Sequence, residues 1–286
     1  MFKTLDSCSV HIVGLGLMGG SLALALRDHV ARLTAQDIEP GILIAAQETR
    51  VIDAAGSTAE ADIVILATPA DHIIRLIPTL ELRPGALVID LGSTKTRICD
   101  QLDRLPDGVL AVGGHPLCGL AENGYRNAIG TLYRRARFVL CETTRTTAEA
   151  CALAEALVRA CQAIPIWMDR TQHDHLTAIT SHLPHLLSFG LMRLAMQVAT
   201  EDNNLYELAA GGFDGATRLA RTSESMVTGM LSTNAEQLRA VTARLRDQLD
   251  AIDALLDDPG ALQAELAMIV AARRSYTADY GERLIT

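Results

Sequence analysis

Three glycines directly behind a short apolar run constrain this chain more than any other feature. Ser9-Val10-His11-Ile12-Val13 reads as a strand, Gly14-Leu15-Gly16-Leu17-Met18-Gly19 follows at once, and Ser21 to Leu26 reads as a helix start. Strand, tight turn and helix are the setting in which G-x-G-x-x-G binds a dinucleotide. Gly14 permits the turn, Gly16 lets a pyrophosphate reach the backbone, and Gly19 lets the helix pack against the strand. The free N–H groups of the first turn, at Leu17 and Met18, face the phosphate charge. Asp37 lies 23 residues after Gly14, at the end of the next strand-like run, 31–36. A carboxylate there accepts both ribose hydroxyls and repels a 2′-phosphate, so the expected cofactor is NAD rather than NADP.

The chain has 286 residues, long for one core and comfortable for two domains. Apolar residues make up 49 % and aromatics only 3 %, so Ala and Leu carry the packing. The net charge is −9, and Arg134-Arg135-Ala136-Arg137 is too short a basic run for a nucleic-acid surface. The expectation is no nucleic acid and no membrane partner. Six cysteines, none in a C-x-x-C pair, read as reduced thiols. The start of the chain lacks an apolar signal segment, and no run of eighteen apolar residues spans a bilayer, so the expected location is cytoplasmic.

The first 168 residues alternate strand and helix signals. Apolar runs at 63–67, 86–91, 109–112, 138–141 and Ile164–Trp167 alternate with helical patterns at 70–80, 92–102 and 147–161. That alternation predicts an α/β fold, a doubly wound parallel sheet in a dinucleotide-binding domain over 1–168. Ligands then sit at the carboxyl ends of the strands, which singles out Thr68-Pro69, Asp90–Lys95 and Gly113–Gly119. From 169 to 286 almost everything has helical periodicity. Pro184 is expected to kink the first helix, while Asn203-Asn204, Gly211-Gly212 and 257–260 punctuate the rest. This predicts an all-helical domain for substrate and for dimerisation, with a long amphipathic helix over 234–256.

Four polar clusters offer chemistry. Ser93 reads equally as a helix N-cap and as a hydroxyl at the nicotinamide edge. His115, between glycines and Pro116 on what reads as a rigid turn, is a candidate base for a substrate hydroxyl. His173-Asp174-His175 and Ser181-His182-Leu183-Pro184-His185 read as polar lining of the interdomain cleft. With no H-E-x-x-H and no C-x-x-C, a metal is not expected. Arg218, in a Thr-Arg pair behind Gly211-Gly212, reads either as a surface salt bridge or as a bidentate clamp for a carboxylate.

Together these residues resemble the prephenate/arogenate dehydrogenase family of tyrosine biosynthesis. The matching stretches are the Gly14–Gly20 loop with Ser21-Leu22-Ala23; Asp90 to Lys95 (D-x-G-S-x-K); Gly114 to Gly119 (like G-H-P-M-A-G); Ser181 to His185 (S-H-L-P-H); and Gly212-Phe213 to Arg218. The resemblance implies oxidative decarboxylation, with hydride leaving C4 of a cyclohexadienol for NAD and the C1 carboxylate leaving as CO2. It implies that His115 takes the C4 hydroxyl proton, that Ser93 orients it, that Arg218 holds a carboxylate, that His182 and His185 line the pocket, and that the enzyme is a homodimer. Three positions depart from the family pattern. Ala121 stands where an acidic residue is frequent, Asp214-Gly215 replaces a basic-Asp pair, and Val227 stands near a frequent tryptophan. They leave open prephenate, arogenate or an amino-substituted analogue as substrate. No regulatory domain is expected after the helical part, and no fused mutase ahead of Val10. A β-hydroxyacid dehydrogenase shares the opening motif but needs a catalytic lysine near 170–180, where this chain has none. A non-catalytic NAD sensor would not need His115, Ser93 and Arg218 together.

Overall fold

The computed structural model describes residues 3–120, 122–202 and 204–281. Ala121 and Asn203, both singled out by the sequence, lie outside the described residues. An eight-stranded sheet organises the first part of the chain. Its strands are β1 (Ser9–Val13), β2 (Arg32–Gln36), β3 (Ala54–Ala55), β4 (Ile63–Leu66), β5 (Leu87–Asp90), β6 (Leu110–Pro116), β7 (Arg137–Glu142) and β8 (Ile164–Trp167). They lie in the order β3-β2-β1-β4-β5-β6-β7-β8. β1 to β6 pair in parallel, as the periodicity predicts. β7 runs antiparallel to β6, and β8 is parallel to β7.

Helices α1 (Leu17–Leu26), α2 (Pro40–Glu48), α3 (Ala70–Leu76), α4 (Thr96–Leu102) and α5 (Ala148–Ala160) cross between the strands. β4 and β5 are buried at every position, which is why they read as unbroken apolar runs. Two apolar cores result. One joins β1, α1 and α5 around Ile12, Leu22 and Leu157, and the other joins α3 and α4 around Val64, Ile73 and Ile98.

The rest is helical: α6 (Arg170–Thr177), α7 (Leu183–Val198), α8 (Gly211–Thr217), α9 (Glu224–Thr233), α10 (Ala235–Asp253) and α11 (Pro259–Tyr280). Pro184 lies in the first turn of α7, within one unbroken helical run from Arg170 to Val198. It has no N–H for the preceding turn, and Ala178–His182 ahead of it is wound as a π-helical turn. α11 buries none of its residues against the rest of the chain. Leu266, Met268, Ile269, Val270 and Tyr280 on it are all exposed.

Three local readings are corrected. His115 is on a strand, not a turn: Gly113 to Pro116 continue β6 and pair with β7, His115 opposite Val139. α4 starts at Thr96 instead of near Gly92, so Ser93 is not its N-cap. The sheet is not parallel throughout: β7, expected as one more parallel strand, runs antiparallel to β6.

Candidate active site

The Gly14 turn is built as a cradle. Gly14 has φ +94°, in the region glycine favours. A Cβ on Gly19 would lie 1.9 Å from the Gly14 carbonyl oxygen, whereas one on Gly16 would meet nothing within 4 Å. Gly19 thus closes α1 onto the turn, and Gly16 leaves its outer side open. No side chain caps α1, so its first N–H groups are free for an anion. Asp37 is fixed at the end of β2: its Oδ2 accepts from Leu15 N at 2.7 Å and its Oδ1 from Glu39 N at 2.9 Å. Across the turn, at the carboxyl end of β4, Thr68 has a buried hydroxyl oxygen without a hydrogen-bond partner. Pro69 follows it and ends the strand ahead of α3. An open glycine, an uncapped helix start and an orphaned hydroxyl around one turn fit a dinucleotide diphosphate.

Beneath the neighbouring strands lies a buried ion pair. Lys95 and Asp90 are both fully buried and bonded to each other. Asp90 also accepts from Gly92 N at 2.8 Å and Gly114 N at 2.9 Å, while Lys95 Nζ donates to the Gly114 carbonyl at 2.6 Å. The pair thereby clamps the stretch of β6 that carries His115. It needs the two glycines: a Cβ on Gly113 would lie 2.5 Å from Cys99 Sγ, and one on Gly114 2.4 Å from the Asp90 carbonyl oxygen. With Nζ committed in this way, Lys95 is not a free catalytic lysine.

His115 belongs to a chain of hydrogen bonds whose direction follows from its far end. Asp174 is an ionised acceptor: Lys95 N donates to its Oδ1 at 2.7 Å and Thr96 N to its Oδ2 at 2.8 Å. Burial pushes the Asp174 carboxyl up, but the bonds from His173, Thr96 and Lys95 outweigh that and hold it below the usual carboxylate range. His173 Nδ1 is 2.8 Å from Asp174 Oδ1, so Nδ1–H donates, and the Nδ1–H tautomer has its lone pair on Nε2. His115 Nδ1 is 2.8 Å from that Nε2, so His115 donates in turn. The lone pair of His115 is therefore on Nε2, where a base is needed. Burial, then His173, Lys95 and His182, push the His115 pKa well below the ordinary histidine value. The ring is neutral and ready to accept a proton.

Ser93 lies half-buried between β5 and α4, and its hydroxyl has no hydrogen bond among the described residues. The α4 N-terminus that Ser93 was expected to cap is closed instead by Asp174 from α6. His182 is fully buried on the π-helical turn. His185, half-buried on α7, donates from Nδ1 to the Ser181 carbonyl at 2.9 Å, which leaves its Nε2 free. Arg218 opens a short turn (Arg218–Arg221) behind α8. That turn is tied to α7 by Ala220 N donating to Ser188 Oγ at 3.0 Å. Arg218 is half-buried and has no ion pair among the described residues. The structure thus brings His115, His173 and His182 into one cluster and puts His185 and Arg218 on adjoining helical segments. Asp214 and Glu122, the carboxylate one position after Ala121, are exposed, and Val227 is buried in α9. The sequence places His173 and Asp174 only as polar lining of the cleft and gives Asn234 no part in the site. The adjacent His173-Asp174 pair is visible in the sequence, but its partners His115 and Lys95 are 58 and 79 residues away.

A phosphate cradle at the end of β1 and an oriented imidazole base on β6, three strands away, define a nucleotide-dependent dehydrogenase of the doubly wound type. Comparison with known proteins narrows that class. Residues 22–166 match the family model described as prephenate dehydrogenase, nucleotide-binding domain, and residues 169–267 the one described as prephenate dehydrogenase, dimerization domain. The chain belongs to the prephenate dehydrogenase family. It is 32 % identical over 255 residues to prephenate dehydrogenase of Lactococcus lactis subsp. cremoris, covering 84 % of this chain and 69 % of that protein. Prephenate dehydrogenase from A. aeolicus, solved with hydroxyphenyl propionate and NAD+, superimposes with a TM-score of 0.89 at 26 % identity, over 96 % of this chain and 99 % of that one. Synechocystis arogenate dehydrogenase superimposes with a TM-score of 0.77 at 28 % identity, over 94 % and 99 %.

Proposed function

We propose that this enzyme catalyses the NAD-dependent oxidative decarboxylation of prephenate or arogenate, as a cytoplasmic homodimer. The observation that carries this reading is the His115–His173–Asp174 chain, which presents a neutral base at the mouth of the sheet. NAD, held at the Gly14 turn, would supply the acceptor for the hydride on C4 of the ring. His115 Nε2 accepts the C4 hydroxyl proton, and the Nδ1–H bond to His173 stabilises the imidazolium that forms. Ser93, with its free hydroxyl, orients that substrate oxygen. Arg218 and His185 hold the substrate at the helical side, the unpaired guanidinium taking a carboxylate. With ring and base aligned, loss of CO2 from C1 aromatises the ring, and the side chains need only position the reactants and exclude water.

Gly14, Gly16 and Gly19, with the Leu17 and Met18 N–H groups, would hold the diphosphate, Thr68 and Pro69 would flank it, and Asp37 would take the ribose hydroxyls. The described residues contain no helix long and apolar enough to cross a membrane. The test is formation of NADH from prephenate and from arogenate, each with NAD and with NADP. Turnover of at least one acid, with NAD preferred, is expected. Activity with neither acid overturns the reading, and equal use of both cofactors removes the role of Asp37.

A further inference from the structure

His182 and Asn234 form a pair whose proton positions the structure determines. Asn234 sits between α9 and α10, with φ −119° and ψ 27°, and is 4 % exposed. Its Nδ2 lies 2.7 Å from the Asp174 carbonyl oxygen and 3.1 Å from His182 Nδ1. A carbonyl oxygen only accepts, so it must face the amide nitrogen and not the amide oxygen. That nitrogen has two hydrogens, and each neighbour receives one. His182 Nδ1 therefore accepts and has no proton. The neutral ring then has its proton on Nε2. Burial keeps the ring neutral, its pKa lowered to about 4, with His173 and His185 adding to the effect and Asp174 opposing it.

His182 Nε2 is buried and has no hydrogen-bond partner. Among the described residues only Thr68 Oγ1 and Arg145 Nε share that condition. A buried donor left unmade is costly, and such orphans in native proteins call for an explanation. Thr68 faces the Gly14 cradle. His182 is joined to the His115 chain by hydrogen bonds: Asn234 links it to the Asp174 carbonyl, and the Asp174 carboxylate holds His173 against His115.

We propose that His182 Nε2–H donates a hydrogen bond to a substrate oxygen on the His115 side of the cleft, and that Asn234 is the positioning residue that fixes this tautomer. The proposal rests on the activity proposed above. It gives the two histidines opposite parts. His115 donates from Nδ1 and keeps a lone pair at Nε2; His182 accepts at Nδ1 and keeps a proton at Nε2. Asp174 sets both, its carboxylate through His173 and its carbonyl through Asn234.

The test uses the whole enzyme with 15N-labelled histidine. Long-range proton–nitrogen spectra at neutral pH should show His182 as the Nε2–H tautomer, its signals identified by their loss in His182→Gln. Adding the phenolic product 4-hydroxyphenylpyruvate should move the Nε2–H signal. Asn234→Asp offers only acceptors, so His182 should turn to the Nδ1–H or the doubly protonated form. Its kcat/KM for the cyclohexadienyl acid should fall at least about tenfold, with KM for NAD unchanged. His182→Leu should lose as much, and His182→Gln, which keeps an N–H near the same place, should lose less. An Nδ1–H or doubly protonated His182 in the unaltered enzyme overturns the Asn234 role, whether or not the variants fold. A product that leaves the Nε2–H signal unmoved, or an altered tautomer with unaltered kcat/KM, overturns the contact with substrate. If neither acid yields NADH, the activity reading fails, while the tautomer spectrum still decides the part played by Asn234.

Discussion

At the scale of single residues, catalysis reduces to where a few protons sit. His115→Asn retains the shape of the side chain and removes the base. Turnover should fall at least about a hundredfold with the NAD dissociation constant unchanged, measured by steady-state kinetics and cofactor titration. Because His115 titrates well below the ordinary value near 6.5, kcat/KM should stay level on acidification through 6.5 and fall only at lower pH. An acid limb centred at 6.5 or above would mean that burial, with His173 beside it, does not hold the base below the ordinary value. Among the described residues no carboxylate pairs with Arg218, in a protein of net charge −9. Losing one charge-assisted pair costs about 2–4 kcal/mol, so Arg218→Ala should raise KM for the acid by about 30- to 1000-fold and leave KM for NAD in place. Equal loss of NAD binding would make Arg218 a structural residue.

At the scale of elements, α4 and α6 depend on one carboxylate. Asp174 closes the N-terminus of α4 across the chain and orients His173 at the same time. Asp174→Ala should lower stability by about 2–4 kcal/mol in urea unfolding, through the lost cap and the unpaired N–H groups of Lys95 and Thr96. It should also lower turnover, because His173 no longer holds the His115 tautomer. A variant as stable as the parent would place the cap elsewhere. This arrangement also marks the limit of the sequence reading. The G-x-G-x-x-G loop, the buried strands and the sheet-then-helix order are local patterns, and local patterns show in a linear text. Gly113-Gly114-His115-Pro116 looks like a turn because glycine and proline normally make turns. Here the glycines exist because Cys99 Sγ and the Asp90 carbonyl occupy the space of a Cβ, a tertiary fact. Ser93 looked like a cap for the same reason: the residue that caps α4 stands 78 positions beyond Thr96.

At the scale of the whole molecule, the helical half does not cover itself. α11 exposes Leu266, Met268, Ile269 and Val270, and α7 exposes Leu187, Leu191, Leu194 and Met196. Contiguous apolar faces of this kind mark association surfaces. Sedimentation should give a dimer, and the double variant Leu266→Glu, Val270→Glu should give a monomer; a monomeric parent chain would refute the assignment. The fold should also weaken in acid. His11 is fully buried between Thr34 Oγ1 at 2.9 Å and Gln36 Oε1 at 3.2 Å, and burial lowers its pKa as it does for His115 and His182. Each group binds fewer protons folded than unfolded. Stability is therefore level above about 6.5 and falls below it, by up to about 1.4 kcal/mol per pH unit for each histidine, until the folded value is reached, about 4 for His182. Urea midpoints that do not change between about pH 7 and 5 would contradict this.

The hydrogen bonds between the sheet and the helices have a consequence for inheritance. Lys95, Thr96 and His115 come from one side; His173, Asp174 and Asn234 come from the other. A recombination event crossing over near residue 168 would transmit two well-formed halves but only half of each proton position. Its offspring would fold around an undirected base unless both parents carried the same histidine–aspartate pair in the same register. The two stretches of chain can drift in most of their residues, yet at these six they have to be handed down together.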